Sequence, residues 1–503
     1  METEMYTALW IFIAVQIFMG ALDTLLHHEF TEKLAWRKSQ QNELRLHAIR
    51  NIFYAIVFLG LGTVQPGGLW AYGIMAVLTT ELIITLRDFA EEDMTRKLPI
   101  SERLLHTVIT ANYGIVLALL APILWGWGQS PTGLTPVSYG YWSLMMIVSA
   151  FAVFILGIRD FHASKRLARL TERDVAKLIP NSGEPKTILI TGGTGFIGRR
   201  LIPASQQAGH TIIVVTRNAE TASLPAPITL IESFGQLKAE QKIDVIINLA
   251  GEALSNGLWT PKKRKAIRES RIGLTQKLLA MIERLEHKPE LLINGSAIGI
   301  YGVTPDGPQD ETNTIQIDGT FSQRLCLDWE AKAQALGLRV VTLRIGMVLD
   351  RHGAALQQVL IPTELGGGAR FGNGTQMMSW ISRDDLIGMI GHIMREPQIS
   401  GPVNGVSPRP ITNAVFTKAV ATALYRPSLV SIPKFIMNGL GGLGREILMA
   451  DQDIRPKAAL ATEYQFMDTD IDVFMREQLR GQNPLKAMHI KTHNHAITAT
   501  ETR

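Results

Sequence analysis

The sequence predicts an N-terminal all-α transmembrane bundle followed by an α/β domain with a doubly wound parallel sheet and a small C-terminal α/β region. Three observations predict this division. Five long apolar stretches lie within residues 1–160. Around residue 190, a strand-like run, a glycine-rich turn and a helix-like segment follow one another. Short apolar runs then alternate with helical segments, a pattern typical of a parallel sheet.

Composition limits what the chain can be. At 503 residues it is longer than one hydrophobic core supports, so we expect two or three domains. The net charge is only +5, and the basic residues cluster beside apolar runs, which indicates membrane topology rather than nucleic-acid binding. Cys326 is the single cysteine, which excludes an intrachain disulfide and favours a reducing compartment.

Each of the five apolar stretches approaches the length of about 20 residues that a bilayer requires. The first and third connections and the segment after the last stretch are basic, whereas the second and fourth connections carry no charge. The positive-inside rule therefore puts the N-terminus outside a bacterial-type plasma membrane, everything after residue 158 in the cytoplasm, and makes the lipid bilayer a partner. The predicted spans are residues 5–26, 47–64, 69–86, 104–127 and 141–158.

Polar residues inside this bundle need an explanation. Glu81 lies about 11 residues, or about 16 Å of helix, inside Trp70 and so near the bilayer centre, where an ionisable group is costly. Acid and imidazole residues recur four apart, a spacing that points two ligands at one place: Asp23/His27, His28/Glu32, Glu43/His47 and Glu102/His106. Solvated helix ends, an internal hydrogen-bonded network and a metal or haem site all remain open. The metal candidates are Asp23, His27, Glu43, His47, Glu81 and Asp88.

The stretch after the bundle predicts the domain boundary. Residues 161–185 form a basic, partly amphipathic segment that ends in a turn-rich linker at 180–185. We therefore expect a bundle at 1–160, this segment at 161–185, a dinucleotide-binding domain at 186–410, a C-terminal domain at 411–482 and a disordered polar tail at 483–503.

A glycine-rich turn organises the second half of the chain. It follows the apolar run 187–190 and precedes a helix at 199–208, and its glycines are spaced G-x-x-G-x-x-G. In a Rossmann-like domain these glycines allow a tight turn, close approach of a pyrophosphate and packing of the helix on the strand. The alternative is a glycine-rich turn that binds nothing. The predicted cofactor loop is Thr191, Gly192, Gly193, Thr194, Gly195, Phe196, Ile197 and Gly198.

Two further segments refine the predicted cofactor site. The second strand, 211–216, ends at Arg217, about 20 residues beyond the last glycine, where a ribose-reading residue is expected. Arginine there suits a 2′-phosphate and favours NADP over NAD. Further strands are predicted at 228–231, 243–249, 291–296 and 338–345. The strand 243–249 runs into Asn248, Leu249, Ala250 and Gly251, where small residues let a loop pass over the cofactor.

These motifs together resemble an extended short-chain dehydrogenase/reductase, the class that contains sugar-nucleotide epimerases and dehydratases. More narrowly, they resemble its atypical "epimerase family" branch. The resemblance runs from Lys186 to Leu479 and does not extend to the bundle. Its features include residues 248–252, Trp259, Ser270-Arg271, Asp328-Trp329-Glu330, residues 343–346 and 366–368, and Trp380-Ile381.

The resemblance also implies an altered catalytic set. Ser322 takes the position of the usual tyrosine, Cys326 that of the usual lysine, Ser296 that of the upstream serine, and Arg271 stands where asparagine is normal. A serine hydroxyl is a far weaker acid than a phenol, and a neutral thiol cannot supply the charge of an ammonium. Cys326 would act as a nucleophile only if a nearby cation lowered its pKa; otherwise it is a small buried apolar residue.

Two function classes therefore remain open. One is a membrane-anchored NADP-dependent oxidoreductase or epimerase-like enzyme that acts on an unknown small molecule. The other is a non-catalytic NADP(H)-binding module, similar to cell-division inhibitors, that reports cofactor state to the bundle or a partner. A smaller possibility passes electrons from NADPH to a metal in the bundle. The basic segment 259–271 does not indicate nucleic acid, because no aromatic residues alternate with its charges.

Overall fold

The computed structural model describes residues 2–96, 98–181, 183–220, 222–254 and 257–481. The chain divides into two compact units, one ending at Leu170 and the other spanning Thr171–Leu479. This agrees with the predicted fold classes, an apolar helical region and then an α/β domain. The predicted tail at 483–503 lies outside the described residues.

The first unit contains five helices that are long and apolar enough to cross a membrane. Large apolar side chains such as Phe18, Ile83 and Ile155 point outward from them and are more than 60% exposed. The helix of the predicted span 141–158 continues into the first part of the basic segment and ends at Arg169. The helices are α1 Glu2–Asp23, α2 Gln41–Thr63, α3 Leu69–Thr95, α4 Ile100–Gly128 and α5 Tyr141–Arg169, and α1 continues into a π-helical turn, Thr24–Thr31.

Two of the connections between these helices pair with each other. Strand β1 (Val64–Gly67) follows α2, and strand β2 (Gly133–Pro136) follows α4. They form a two-stranded antiparallel sheet. These are the two connections that carry no charge, so backbone pairing occurs at the end of the bundle opposite the basic connections.

The second unit is built on a seven-stranded parallel sheet with the order β13-β8-β7-β6-β3-β4-β5. Strand order reverses between β3 and β6, and ligands of open α/β sheets bind at such a point. Short pairs β9–β12, β10–β15 and β11–β14 lie outside this sheet. The strands are β3 Thr187–Thr191, β4 Thr211–Val215, β5 Thr229–Ile231, β6 Val245–Asn248, β7 Leu291–Ala297, β8 Val340–Ile345, β9 Met347–Leu349, β10 Ala369–Phe371, β11 Met377–Met378, β12 Trp380–Ser382, β13 Gly401–Gly405, β14 Ile411–Thr412 and β15 Val430–Ile432.

Helices cover both faces of this sheet, and buried aliphatic side chains fill the layers between them. That arrangement explains why its strands read as continuous apolar runs. The helices are α6 Gly198–Gln207, α7 Pro261–Arg268, α8 Leu274–Arg284, α9 Phe321–Ala333, α10 Ala354–Glu364, α11 Arg383–Arg395, α12 Asn413–Ala423, α13 Lys434–Gly439, α14 Lys457–Ala461 and α15 Ile471–Arg480, with π-helical turns Glu269–Gly273 and Leu443–Leu448.

The sequence predicts the domain boundary at the turn-rich stretch 180–185. In the structure the boundary between the units comes earlier, after Leu170. Residues 171–179 already belong to the second unit, because Leu178 and Ile179 are buried in its core. Glu172 contacts Arg200 and Arg351 of that unit as well. The C-terminal region predicted at 411–482 lies, as far as Leu479, within the unit Thr171–Leu479, and its standing as a domain of its own stays a prediction.

Candidate functional site

The glycine-rich turn between β3 and α6 has a backbone that only glycine tolerates at two positions. Gly192 has φ +75°, and a Cβ there would lie 2.8 Å from the backbone nitrogen of Ala250. A Cβ on Gly198 would lie 2.5 Å from the carbonyl oxygen of Gly192. The turn therefore keeps α6 tight against the end of β3, as a pyrophosphate cradle at a helix N-terminus requires.

A buried hydrogen-bond network fixes this turn to the loop after β6. The hydroxyl of Thr191 donates to Oδ1 of Asn248 (2.6 Å) and accepts from the amide of Ala250 (3.2 Å). The Asn248 amide donates to Thr275 Oγ1 and Asn294 Oδ1. Asn248, predicted as a cofactor contact, is 1% exposed, and its side-chain amide is hydrogen-bonded to Thr191, Thr275 and Asn294. It positions Leu249, Ala250 and Gly251 rather than facing the cavity.

A positively charged corner lies where an adenosine ribose is expected. Arg217 follows β4 directly and is exposed. The hydrogen bond and charge of Lys263 lower the pKa of the Glu252 carboxyl, and the charges of Arg217 and Arg271 lower it further. The Lys263 ammonium lies 2.6 Å from that carboxylate. The corner therefore carries more positive than negative side chains, which suits a 2′-phosphate.

The candidate catalytic residues line one cavity of about 710 Å³. Leu249, Ala250, Gly251 and Ile197 line the same cavity, which places the predicted cofactor loops and the predicted catalytic set at one site. Phe196 lies elsewhere, with its ring 5.0 Å from the Arg383 guanidinium. The predicted catalytic residues that line the cavity are Ser296, Ser322, Cys326 and Arg271.

Ser296 belongs to a buried chain of polar groups that spans neighbouring strands. Its hydroxyl donates to Glu330 Oε1 (2.6 Å), and Glu330 accepts two further bonds from Arg344, each 2.9 Å. Arg344 also donates to the Tyr301 hydroxyl, which donates to Asn404. Ser296, Arg344 and Asn404 are register partners on β7, β8 and β13, so strand pairing itself aligns them.

Tyr301, a possible substitute acid, is held in this chain behind the cavity wall. Burial raises the pKa of its phenol, although Arg344 opposes that shift. Burial alone would lower the pKa of the Arg344 guanidinium, but the hydrogen bonds and the charge of Glu330 raise it above its ordinary value. Glu330 is thus paired internally with an arginine, and Ser296 is the member of this hydrogen-bonded chain that lines the cavity.

The structure argues against a reactive Cys326. Burial, and then the charge of Glu330, raise the pKa of its thiol to about 12, and the opposing influence of Arg271 is smaller. Burial also lowers the pKa of Arg271, whose guanidinium donates to the carbonyl oxygens of Glu252 and Ile267. The condition for a nucleophilic Cys326 is therefore not met, and the residue is a neutral thiol on α9.

Sequence reasoning missed two residues of this site. Glu446, in the π-helical turn Leu443–Leu448, accepts a hydrogen bond from the amide of Ser322 at 2.8 Å. Arg344 was noted only as part of a motif, yet it holds Glu330. Neither residue has a local signal in the sequence, because each contacts a segment that is distant along the chain. For Arg344 the available hint was an arginine within a predicted apolar strand, which needs an acidic partner such as Glu330.

The rest of the cavity wall is apolar. Among the described residues that line it, the ionisable side chains are Arg271, Cys326 and Glu446. Opposite Ser296 the wall is formed mainly by aliphatic, aromatic and thioether side chains. They include Met347, Met377, Met378, Phe416, Leu443 and Ile447.

The predicted metal candidates of the first unit are buried, so solvated helix ends do not explain them. Asp23, Glu43 and His47 belong to a cluster of acids and imidazoles described below. His27 contacts Asp23 (2.8 Å) and Ser101, and Asp88 contacts His47 and Arg50. Glu81 lies apart from the cluster and accepts hydrogen bonds from Thr85 and Tyr113.

Comparison with known proteins identifies relatives of the second unit. Residues 188–404 match the profile of the NAD dependent epimerase/dehydratase family. The chain is 31% identical over 290 residues to the chloroplastic epimerase family protein SDR39U1 homolog of Arabidopsis thaliana, covering 56% of this chain and 83% of that protein. It is 32% identical over 292 residues to the epimerase family protein YfhF of Bacillus subtilis, covering 57% and 95%.

A solved structure gives a similar result. The human epimerase family protein SDR39U1, isoform 2, crystallised with NADPH, is 30% identical to this chain with a TM-score of 0.54. The match covers 59% of this chain and all of the human chain. The similarity therefore extends over the complete fold of that relative.

Proposed function

This chain belongs to the NAD-dependent epimerase/dehydratase family, and from that membership we propose that it binds NADP(H) and transfers hydride to or from a small apolar substrate. The proposed cofactor residues are the turn 191–198, the loop 249–251 and Arg217. The exposed Arg217 shortly after β4, where a ribose-reading residue is expected, is the observation that favours the phosphorylated dinucleotide. The human relative bound to NADPH supports the same choice.

The proton chemistry follows from the bond between Ser296 and Glu330. NADP(H) supplies or accepts the hydride when bound. Because the Ser296 hydroxyl points its proton at Glu330, its lone pairs are free to accept a hydrogen bond from a substrate hydroxyl. As that hydroxyl carbon loses hydride, its proton passes to Ser296 Oγ while the serine proton moves to Glu330. Reduction of a carbonyl runs the same transfers in reverse.

The cavity wall indicates the substrate class. Charged sugar nucleotides need several cations for their phosphates, whereas Arg271 is the one cation among the described residues that line this cavity. Apolar side chains, among them methionine, leucine and phenylalanine, line much of the remainder, and such walls bind apolar molecules. We therefore expect an apolar alcohol or carbonyl compound.

The test uses the full chain in detergent with NADPH and a panel of apolar ketones and aldehydes. Consumption of NADPH that is lost in Ser296→Ala, while NADPH binding is retained, supports the enzyme. Tight binding without turnover across the panel favours the second candidate, a non-catalytic NADP(H)-responsive module. The neutral thiol of Cys326 and the serine at the usual tyrosine position are the observations that keep this candidate.

The five apolar helices support a membrane-anchored protein. We place the N-terminus outside and the NADP-binding unit in the cytoplasm, because basic residues flank the first and third connections and the end of the fifth helix. Reporter fusions test this orientation. A periplasmic reporter active after residue 66 or 135 and inactive after residue 37 or 170 supports it, and the reverse pattern overturns it.

A further inference from the structure

A cluster of acids and imidazoles lies buried where four elements of the first unit meet. Glu43 and His47 lie four residues apart on α2, and Glu102 and His106 repeat that spacing on α4. The π-helical turn adds His28 and α3 adds Glu92. This set, together with Asp23 and Asp88, is called the acid–imidazole cluster below. All its members are less than 10% exposed except His106, whose side chain is 14% exposed.

The ligand atoms of four of these residues converge on one point. One atom each from His28, Glu43, His47 and Glu92 lies within 4.8 Å of the other three. An ion with bonds of about 2.1 Å holds opposite ligands about 4.2 Å apart, so this spacing needs little adjustment. A second group, Asp23, His28, Glu102 and His106, meets the same distance limit and shares His28.

Hydrogen bonding distinguishes the two groups. The Nε2 atoms of His28 and His47 are both buried and lack a hydrogen-bond partner among the described residues. Nε2 of His47 lies 2.9 Å from Asp88 Oδ2, yet outside hydrogen-bonding direction. The two imidazole rings stack with centroids 4.5 Å apart. Both unpartnered nitrogens belong to the first group, and a buried nitrogen without a partner is costly unless something binds it.

Glu102 and His106 of the second group already have protein partners. The Arg96 guanidinium donates to both oxygens of Glu102, at 2.7 and 2.8 Å. His106 Nε2 lies 3.1 Å from Asp23 Oδ2, and its Nδ1 lies 3.5 Å from Glu92. In the first group Arg96 also donates to Glu43, but both imidazoles keep an Nε2 without a hydrogen-bond partner among the described residues, so this group offers two available nitrogen ligands.

Charge points to a cation at this place. The cluster buries the carboxylates of Asp23, Glu43, Asp88, Glu92 and Glu102. Arg96 pairs with three of them and Arg50 with Asp88. Carboxylates therefore outnumber guanidinium groups in this cluster, and His28, His47 and His106 are further partners within ion-pair distance of these carboxylates. Buried carboxylates and imidazoles brought together in this way are the ligand types that bind a divalent cation.

We propose that His28, Glu43, His47 and Glu92 bind a non-haem divalent transition-metal ion of the zinc, iron or manganese type. Two imidazole nitrogens and two carboxylate oxygens suit these ions, and Cys326, the only thiol of the chain, lies in the other unit. Arg96 contacts Glu43 (3.1 Å) and Glu92 (3.7 Å) and orients both carboxylates as an outer-shell partner.

The test measures metal in the full chain, purified in detergent through a tag without histidine. The parent protein carries His489, His493 and His495 changed to glutamine, so that the C-terminal histidines cannot contribute. We expect about one ion per chain by elemental analysis. We also expect Co²⁺ added to the chelator-treated protein to give visible d–d absorption and a higher Tm. His28→Gln and His47→Gln should each lower metal affinity at least ten-fold, whereas His162→Gln, an exposed control on α5, should not change it.

Several results would overturn this assignment. One is a parent protein that purifies without metal and shows neither Co²⁺ absorption nor a Tm shift with Zn²⁺, Mn²⁺ or anaerobic Fe²⁺. Another is an equal metal content in the His28→Gln, His47→Gln and His162→Gln proteins. A haem Soret band without non-haem metal would replace the proposed ion by a different cofactor. Because the Co²⁺ experiment needs no substitution within the acid–imidazole cluster, it decides the question even where a cluster variant fails to fold.

Discussion

Ser296 donates its hydroxyl proton to Glu330 across a distance of 2.6 Å, and two bonds from Arg344 hold that carboxylate in place. In the proposed reaction the pair of Ser296 and Glu330 does the proton transfer that a phenol and an ammonium do in the wider enzyme class. A serine so oriented is a hydrogen-bond acceptor toward the cavity, whereas a free serine would rotate between donor and acceptor positions. The direction of that single hydrogen bond therefore favours substrates that present a hydroxyl group.

Ser296→Ala should abolish turnover while leaving NADPH binding within about two-fold. The substitution removes the proton acceptor, a contribution of about 10²–10⁴-fold in rate, but touches none of the residues proposed to bind the phosphates. NADPH consumption and fluorescence titration measure the two effects separately. Ser400→Ala, an exposed control in the loop before β13, should match the wild type in both. Full turnover by Ser296→Ala would contradict the proposed proton path.

Glu330→Gln should destabilise the second unit by about 3–5 kcal/mol, because it leaves the Arg344 guanidinium buried beside a neutral amide. Thermal unfolding followed by tryptophan fluorescence gives the change. Glu283→Gln, at an exposed site on α8, removes the same charge and should shift Tm by no more than about 1 °C. If both variants shifted Tm equally, the ion pair between Glu330 and Arg344 would not contribute to the stability of the second unit.

The sequence predicts the sheet better than it predicts the site. Strand 291–296 was predicted within one residue of Leu291–Ala297, because buried parallel strands are continuous apolar runs. β13 was missed, since Gly401-Pro402-Val403-Asn404-Gly405 has little strand propensity and owes its conformation to pairing with β8. The row formed by Ser296, Arg344 and Asn404 depends on strand register, which local pattern does not encode.

The bundle shows a different limit. His28 was paired with Glu32 on the assumption of a regular α-helix. A π-helical turn spans Thr24–Thr31 instead, and a π-helix has more residues per turn, so the four-residue spacing no longer shares a face. Glu32 contacts Arg37, and His28 stacks on His47. Glu43 and His47, within the regular helix α2, both lie in the acid–imidazole cluster, and their role as metal ligands stays a prediction.

Arg217→Ala should weaken NADPH binding about 10–100-fold and leave NADH binding nearly unchanged. The arginine is proposed to contact only the 2′-phosphate, and a charged hydrogen bond contributes about 1.5–3 kcal/mol. Isothermal titration with both nucleotides measures the difference. Lys238→Ala, another exposed cation of the same unit, should affect neither. Equal losses for NADPH and NADH would contradict a role in reading the phosphate.

Gly198→Ala should prevent nucleotide binding even if the chain still folds. Its Cβ would lie 2.5 Å from both the Gly192 oxygen and the Gly193 Cα, so the turn must open and α6 must move away from β3. Gly235→Ala is the matched control, because its Cβ would meet only Ser233 Oγ at an ordinary 3.6 Å. Wild-type NADPH affinity in Gly198→Ala would show that the turn does not form the phosphate cradle.

Cys326 should resist alkylation in the native protein. Burial raises the pKa of its thiol to about 12 from an ordinary 9.0, and only the thiolate reacts. At pH 8.5 the thiolate fraction is then about a thousand-fold smaller than in the unfolded chain, and access is restricted as well. Iodoacetamide labelling followed by mass spectrometry should show native Cys326 reacting at least 100-fold more slowly than in denaturant. Because the chain has one cysteine, the signal is unambiguous.

The same shift predicts how stability changes with pH. Below about pH 9 the thiol is protonated in both states and contributes no pH dependence. Above that, the unfolded chain loses the proton while the folded chain keeps it, so unfolding becomes more favourable by about 1.4 kcal/mol per pH unit until about pH 12. Tm measured from pH 8 to 10.5 should therefore fall more steeply for the wild type than for Cys326→Ala. Parallel curves, or rapid native alkylation, would mean that a cation near Cys326 stabilises the thiolate, and the residue would return as a candidate nucleophile.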